Sequence, residues 1–245
     1  MSVVRFCDLD GTLIHSYREC LNDGVLVERY NGKPLSYMSR RAYESIQVIP
    51  RNLLIPVTSR TKEQYNRISL YKDGGVPKYA LLDNGGILLI DGKEDVQWKH
   101  EIQQYIWAEL SRYKRITYEI SKYGETKIQD ELVIFVKPFS DREKVLLQEY
   151  IKTCEGMQLF QHGNKLYVCS DKLTKGYAVG KLIKKYSIHN AIAAGDSIVD
   201  LTMIDHVSYG FFSKELETNV SEEYLHKIEF VDKVHLAESV LNYEL

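Results

Sequence analysis

Apolar and polar residues alternate along this chain in two distinct periods. Short runs apolar at successive positions recur at Val3–Cys7, Leu53–Val57, Tyr79–Leu82, Ala191–Ala194, Val207–Phe211 and Ile228–Val231. Such runs suit strands covered on both faces, as in a parallel sheet. Between them lie stretches with helical spacing, at 39–47, 61–71, 175–186, 199–204 and 235–243. Strand and helix in alternation predict an α/β fold, a doubly wound, mainly parallel, Rossmann-like sheet.

The alternation breaks between about 88 and 170. Gln97–Tyr113 has helical spacing, Ile116–Ile120 and Leu132–Val136 have strand character, 141–154 is helical, and Met157–Gln161 and Lys165–Ser170 are strand-like. Helix, two strands, helix, two strands predicts a separate α+β module inserted into the first domain. Its joints are the turn-rich stretches DNGG at 83–86 and SDKLTKG at 170–176. The predicted division is a core of 1–86 with 171–245 and an insertion of 87–170. Near the start, Val25–Tyr30 and Pro34–Met38 flank Asn31-Gly32-Lys33, a strong hairpin signal close to the first strand's end.

Composition adds little and excludes much. The chain has 245 residues, 44% apolar and 27% charged, with a formal net charge of −2. That balance argues against nucleic acid or an acidic membrane as the main partner. The run Lys181 to Lys185 sits at helical spacing and reads as a solvated face. Cys7, Cys20, Cys154 and Cys169 form no CxxC pair, which argues against zinc. The N-terminus has neither the basic nor the apolar region of a signal peptide, and no apolar run is long enough to span a bilayer. The expectation is a cytoplasmic protein of undefined oligomeric state.

The chemistry begins at the end of the first strand, with Asp8-Leu9-Asp10-Gly11-Thr12. Alternation along a strand points Asp8 and Asp10 the same way. In parallel α/β sheets, ligands bind beyond the carboxyl ends of the strands, where this pair lies. Two adjacent carboxylates repel and require a metal ion, a shared proton or a cation. A solvated turn accounts for the pair equally well. An EF-hand loop does not, because its glycine stands at the sixth place and Gly11 stands fourth from Asp8. The second strand ends in Thr58-Ser59-Arg60, where a hydroxyl serves as a phosphate contact or as a helix N-cap. The fourth ends in Gly195-Asp196-Ser197, and Asp200 lies one helical turn on, able to point back toward Asp196. Lys175 opens the helix leading to that strand.

These motifs, in this order, resemble the haloacid dehalogenase-like (HAD) superfamily. The matching residues are FCDLDGT at 6–12, Thr58 at a strand end, Lys175 in TKG, and GDSIVD at 195–200. The resemblance covers nearly the whole chain, and the ordered set is far more specific than any one motif. The insertion resembles the C2-type cap of subfamily IIB, which includes Cof-like, sucrose-phosphatase-like and mannosyl-3-phosphoglycerate-phosphatase-like enzymes. Asn84-Gly85 matches the NG that often precedes such caps. Two positions depart from the pattern: Ser59-Arg60 where many Cof-like members have Gly-Arg, and Val199 where many have Asn.

The resemblance implies a phosphatase in which Asp8 is the nucleophile and Asp10 the general acid and base. It implies Mg²⁺ held by Asp8, the backbone carbonyl of Asp10, Asp196 and Asp200. Phosphate contacts fall to Thr58, Lys175, Gly11 and Ser59. Arg60 and Asn84, with Lys137 or His162 of the insertion, are candidates for reading the substrate. The implied partner is a small phosphorylated metabolite, a sugar phosphate or related monoester, under a closing cap. A phosphotransferase or mutase would use the same aspartyl-phosphate. A non-catalytic phospho-ligand-binding protein would have no need of both acids. A dehalogenase would not need Asp10 or Mg²⁺.

Overall fold

A computed structural model describes residues 2–16, 23–129, 132–162 and 165–244. Cys20 lies outside them. The chain divides into two units, one of residues up to 95 with 174 onward, the other 96–173. Among the described residues no helix is long and apolar enough to cross a membrane.

The first unit opens with β1 (Val4–Cys7), every residue of it buried. The chain then forms β2 (His15–Ser16), β3 (Val25–Tyr30) and β4 (Lys33–Met38), a small antiparallel sheet in the order β2-β4-β3. Asn31 and Gly32 turn the expected hairpin with φ of 50° and 74°, as a type I′ turn demands. Helix α1 (Arg40–Val48) follows, capped by the Ser39 hydroxyl, and leads to β5 (Leu54–Pro56). Helix α2 is only Lys62–Tyr65, shorter than the expected 61–71. The stretch after it is taken up by the hairpin instead: Ile68 bridges Glu28, and the Ser69 N–H donates to the Val27 carbonyl at 2.8 Å.

Tyr79–Leu82 forms β6 as expected, but outside the parallel sheet. It pairs antiparallel with β7 (Ile87–Ile90), which pairs with β8 (Lys93–Glu94). It meets the main sheet by one parallel bridge, Val57 to Leu81. Residues 87–95, assigned from sequence to the insertion, therefore belong to the first unit. The turn at 83–86 folds the chain back on itself before it leaves.

In the second unit, α3 (Val96–Tyr105) and α4 (Trp107–Ile120) replace the expected single helix to 113 and the strand at 116–120. Tyr113, Ile116 and Ile120 lie at helical spacing and pack with Ile134, Val136, Leu147 and Val168 in one core. Tertiary packing thus overrides the strand propensity of ITYEI. Strand β9 (Gly124–Gln129) was not visible in the sequence. It is an edge strand of mostly polar residues pairing with β10 (Val133–Pro138). Helix α5 (Asp141–Lys152), β11 (Met157–His162) and β12 (Lys165–Ser170) complete an antiparallel sheet in the order β11-β12-β10-β9.

The chain re-enters the first unit through α6 (Lys175–Tyr186), capped by the Thr174 hydroxyl, and β13 (Ala191–Gly195). Then come α7 (Ile198–Leu201), a 3₁₀ turn over 202–206, and β14 (Tyr209–Ser213). That strand starts two residues later than Val207–Phe211. Ser208 is used in the approach, its N–H bonding the Ala191 carbonyl. Helix α8 (Glu222–Leu225), β15 (Ile228–Val231) and α9 (Leu236–Leu241) finish the unit.

The main sheet is parallel throughout, in the order β15-β14-β13-β1-β5. β1 lies between β13 and β5, so the chain winds outward from it in both directions. The ends of β1, β5 and β13 accordingly share one edge at the topological switch point; Asp8 and Asp196 follow β1 and β13 directly, and Thr58 stands two residues past β5.

Candidate active site

Asp8 follows β1 and is 6% exposed; Lys175 opens α6 and is 3% exposed. The Lys175 ammonium donates to Asp8 Oδ1 at 2.6 Å and to Asp200 Oδ1 at 2.5 Å. It is a cation buried between two carboxylates. The other oxygen of Asp200 accepts from the backbone N–H groups of Asp196 (3.1 Å) and Ser197 (2.9 Å) and from the Ser197 hydroxyl (2.6 Å). Ser197 and Asp200 form a capping box on α7. This box fixes the start of the helix and turns Asp200 back toward β13. The spacing of GDSIVD achieves that with one helical turn.

Carboxylate oxygens of Asp8, Asp196 and Asp200 all lie within 4.8 Å of one another. Burial pushes the Asp8 carboxyl well above its ordinary range; Lys175 opposes this, and the neighbouring Asp200, Asp196 and Asp10 add to it. Burial likewise raises Asp196, against the pull of Lys233. For Lys175, burial alone would lower the pKa, but the charges of Asp200 and Asp8 outweigh it and raise the value. The cluster is thus short of positive charge. An all-oxygen donor set with that deficit fits a hard divalent cation such as Mg²⁺. Asp8 gives one oxygen to Lys175 and Asp196 one to Lys233. Asp200 already spends both of its own on Lys175 and the helix start, so it fits a role in orienting the others.

Asp10 has a different setting. Arg60 grips it with two parallel bonds, Nε to Oδ2 at 2.6 Å and Nη2 to Oδ1 at 2.7 Å. On its other side Arg60 Nη1 meets Glu28 Oε1 at 2.9 Å. Glu28, on β3, is 1% exposed and also takes Arg67 at 3.0 Å and the Ser36 hydroxyl at 2.6 Å. Burial lowers Arg60's pKa, but the bonds to Asp10 and Glu28 prevail and raise it. Arg60 was expected to face a substrate. It instead ties the hairpin to Asp10.

Gly11, at φ +78°, is where the chain turns over this cluster. A Cβ there would overlap the Asp196 carboxylate and the Lys233 side chain. Thr58 is fully buried, and its hydroxyl accepts the Arg60 N–H at 3.1 Å. Its carbonyl accepts the Asn84 N–H at 3.0 Å. Asn84 is buried in the left-handed region at φ 55°, and its Oδ1 has no hydrogen-bond partner among the described residues. Ser59 is exposed beside them. In the second unit, Lys137 is largely exposed near Glu125. The side chain of His162 lies outside what the structure describes.

Sequence reasoning missed Glu28, Arg67 and Lys233. A lone glutamate within the alternating VLVERY and a lysine just past a strand end are ordinary surface patterns. The one available signal was position: Lys233 follows β15 at the same carboxyl edge as Asp8 and Asp196.

Residues 17–226 match the family model described as haloacid dehalogenase-like hydrolase. The acid pair at 8 and 10 lies just ahead of the matched span. No curated protein sequence matches the chain significantly. Among solved structures, the chain resembles the sucrose-phosphatase of Synechocystis sp. PCC6803 in complex with sucrose and phosphate, at 17% identity and TM-score 0.58 over 98% of this chain and 96% of that one. It also resembles a HAD subclass IIB sugar phosphatase, at 12% identity and TM-score 0.58 over 97% of each chain. A protein from Thermotoga maritima is similar at 14% identity and TM-score 0.57, over 100% of this chain and 98% of that one. These likenesses establish the shared fold, and the family match establishes membership: the chain belongs to the haloacid dehalogenase-like hydrolases.

Proposed function

We propose that this protein is a Mg²⁺-dependent phosphatase acting on a small phosphorylated metabolite, a sugar phosphate or related monoester, through an aspartyl-phosphate. One observation carries the reading: Asp8 at the end of the central strand, 2.6 Å from the Lys175 ammonium and within 4.8 Å of the Asp196 and Asp200 carboxylates. The structural likeness to a sucrose-phosphatase holding sucrose and phosphate supports the substrate class. The inserted unit takes the role of the cap in this reading.

Asp8 Oδ attacks phosphorus in line, and the P–O bond to the leaving alcohol breaks. Asp10 gives its proton to the departing oxygen and then takes one from the water that attacks the aspartyl-phosphate. That second attack releases inorganic phosphate and restores the Asp8 carboxylate. The Arg60 fork fixes the orientation of the Asp10 carboxyl. Lys175 and the Thr58 hydroxyl steady the phosphoryl oxygens as charge redistributes. Gly11 leaves room for the group to approach. Asp8, the Asp10 carbonyl and Asp196 would hold the Mg²⁺, with Asp200 orienting them. The bound metal offsets the repulsion between an anionic nucleophile and an anionic phosphate.

The test is phosphate release from a panel of phosphorylated metabolites with Mg²⁺, beside Asp8→Asn. Hydrolysis of one metabolite class, reduced about 10⁴-fold or more by the substitution, is expected. Transfer to an added alcohol with little free phosphate would make the enzyme a phosphotransferase. No phosphoryl loss from any compound would sink both.

A further inference from the structure

Lys233 stands at the start of the 3₁₀ turn that joins β15 to α9. Its ammonium lies 2.8 Å from Asp196 Oδ2. That oxygen belongs to one of the three carboxylates able to hold a metal ion. The lysine side chain is 34% exposed and the Asp196 side chain 13% exposed, so the pair sits at the mouth of the cluster. The position is built into the fold. The His235 N–H bonds the Asp232 carbonyl at 2.8 Å and tightens the turn. The lack of a side chain at Gly11 gives the Lys233 stem and the Asp196 carboxylate the same space.

Each carboxylate around the cluster has a cation within ion-pair distance. Asp8 and Asp200 share Lys175, which is buried and held from both sides. Asp10 has Arg60, itself anchored by Glu28. Asp196 has Lys233. Lys233 is the most exposed of these three cations and projects from a turn rather than a helix start. It is the one that can withdraw without breaking the packed interior.

We infer that Lys233 is a tethered counter-ion that competes with the divalent cation for Asp196, setting how tightly the site holds its metal. With the metal absent, the ammonium neutralises Asp196. When a divalent cation takes that carboxylate, Lys233 moves off the shared oxygen into solvent. Metal affinity is then lowered by the strength of the pair that must be broken. Partly exposed ion pairs of this kind correspond to changes of about 2–5-fold in an equilibrium constant. The inference rests on the metal assignment made above.

The experiment is calorimetric titration of the full chain with Mg²⁺ alone, with no substrate and no turnover required. Lys233→Met keeps the length of the side chain and removes the charge. It is expected to bind Mg²⁺ about 2–5-fold more tightly than the unaltered protein. Lys233→Arg keeps the charge against Asp196 and is expected to restore the original affinity. Lys184→Met, on the exposed face of α6, removes one positive charge elsewhere and controls for net charge. It is expected to change affinity less than 1.5-fold, roughly, because exposed charges beyond a Debye length are screened. Equal or weaker Mg²⁺ binding by Lys233→Met overturns the inference and leaves the metal site standing. A gain matched by Lys184→Met overturns it too, since a general field effect then explains the result. Absence of Mg²⁺ binding by the unaltered protein, with Asp196→Asn indistinguishable from it, overturns the metal assignment and the inference together.

Discussion

Arg60 holds Asp10 by both edges of the carboxylate, Nε at 2.6 Å and Nη2 at 2.7 Å. A planar guanidinium makes this fork, and a lysine ammonium cannot. Arg60→Lys keeps the charge but loses one of the two bonds and the orientation of Asp10. A hydrogen bond to a charged group is worth about 1.5–3 kcal/mol, which corresponds to a fall of about 10–100-fold in kcat. In the proposed mechanism Lys175 and Thr58, not Arg60, hold the substrate phosphate, so KM should move less than about 3-fold. Steady-state kinetics on the best substrate of the panel measures both. A large KM change with kcat intact would return Arg60 to the substrate-reading role its sequence position suggests.

The far side of the same arginine leads to Glu28, whose side chain is fully buried and paired with Arg60 and Arg67. Burial raises this carboxyl's pKa, but the bonds from Arg60, Ser36 and Arg67 prevail and place it below its ordinary value. A carboxylate with a depressed folded-state pKa stabilises the fold above its unfolded pKa, about 4.3 for glutamate. That stability is lost as pH falls through the lower folded value. Glu28→Gln should therefore melt well below the unaltered protein at pH 7. Removing one partner of a buried pair costs about 3–5 kcal/mol, or on the order of 10 °C at this size. The gap should close steadily below about pH 4. Calorimetry of both proteins from pH 7 to pH 3 checks the sign; a gap that widens toward acid contradicts it.

These two cases show what the sequence makes legible and what it does not. The ends of β1, β5 and β13 were readable because a parallel sheet collects its strand ends at one edge, so motif order alone brings Asp8, Thr58 and Asp196 together. Asp200 was readable because a one-turn spacing is local geometry, and Lys175 because the ordered set of motifs resembles a known family. Glu28 and Lys233 were not, since each meets its partner across more than thirty residues and carries no local signature. The same division holds in the fold. The run Tyr113 to Ile120 has both helical spacing and strand-forming residues, and only the core formed by Ile134, Leu147 and Val168 decides for the helix. Edge strand β9 needs no buried alternation, and GETKIQ has little to display.

Lys175 is the next position whose removal separates roles. Without it, Asp8 and Asp200 face each other as buried carboxylates with no shared cation. Lys175→Met should lose activity and about 3–5 kcal/mol of stability in metal-free buffer. The cluster then becomes more negative, so a divalent cation has more to neutralise. Mg²⁺ should raise the melting temperature of Lys175→Met by more than it raises that of the unaltered protein, as linkage requires of a ligand that binds the folded state more tightly. Thermal scans with and without millimolar Mg²⁺ test this. Equal shifts would mean that Lys175 does not share the metal's electrostatic environment.

Gly11 provides the sharpest geometric test, because two independent constraints meet at one residue. Its φ of +78° is a conformation L side chains rarely adopt, and a Cβ in that position would overlap the Asp196 carboxylate and the Lys233 stem. The backbone constraint alone makes Gly→Ala destabilising by about 1 kcal/mol, because alanine resists positive φ. The steric constraint acts on the site: Asp196 must swing away from Asp8, and the oxygen cage able to take a metal opens. Gly11→Ala should therefore lose Mg²⁺ affinity by at least about 10-fold while its melting temperature falls by only a few degrees. A surface control of the same backbone type is Gly74, with φ +72° and open space around its Cβ position. Gly74→Ala should show the stability loss without the metal defect. If the two substitutions behave alike in calorimetric titration with Mg²⁺, backbone strain is the whole effect and the crowding of Asp196 against Gly11 plays no part in holding the metal.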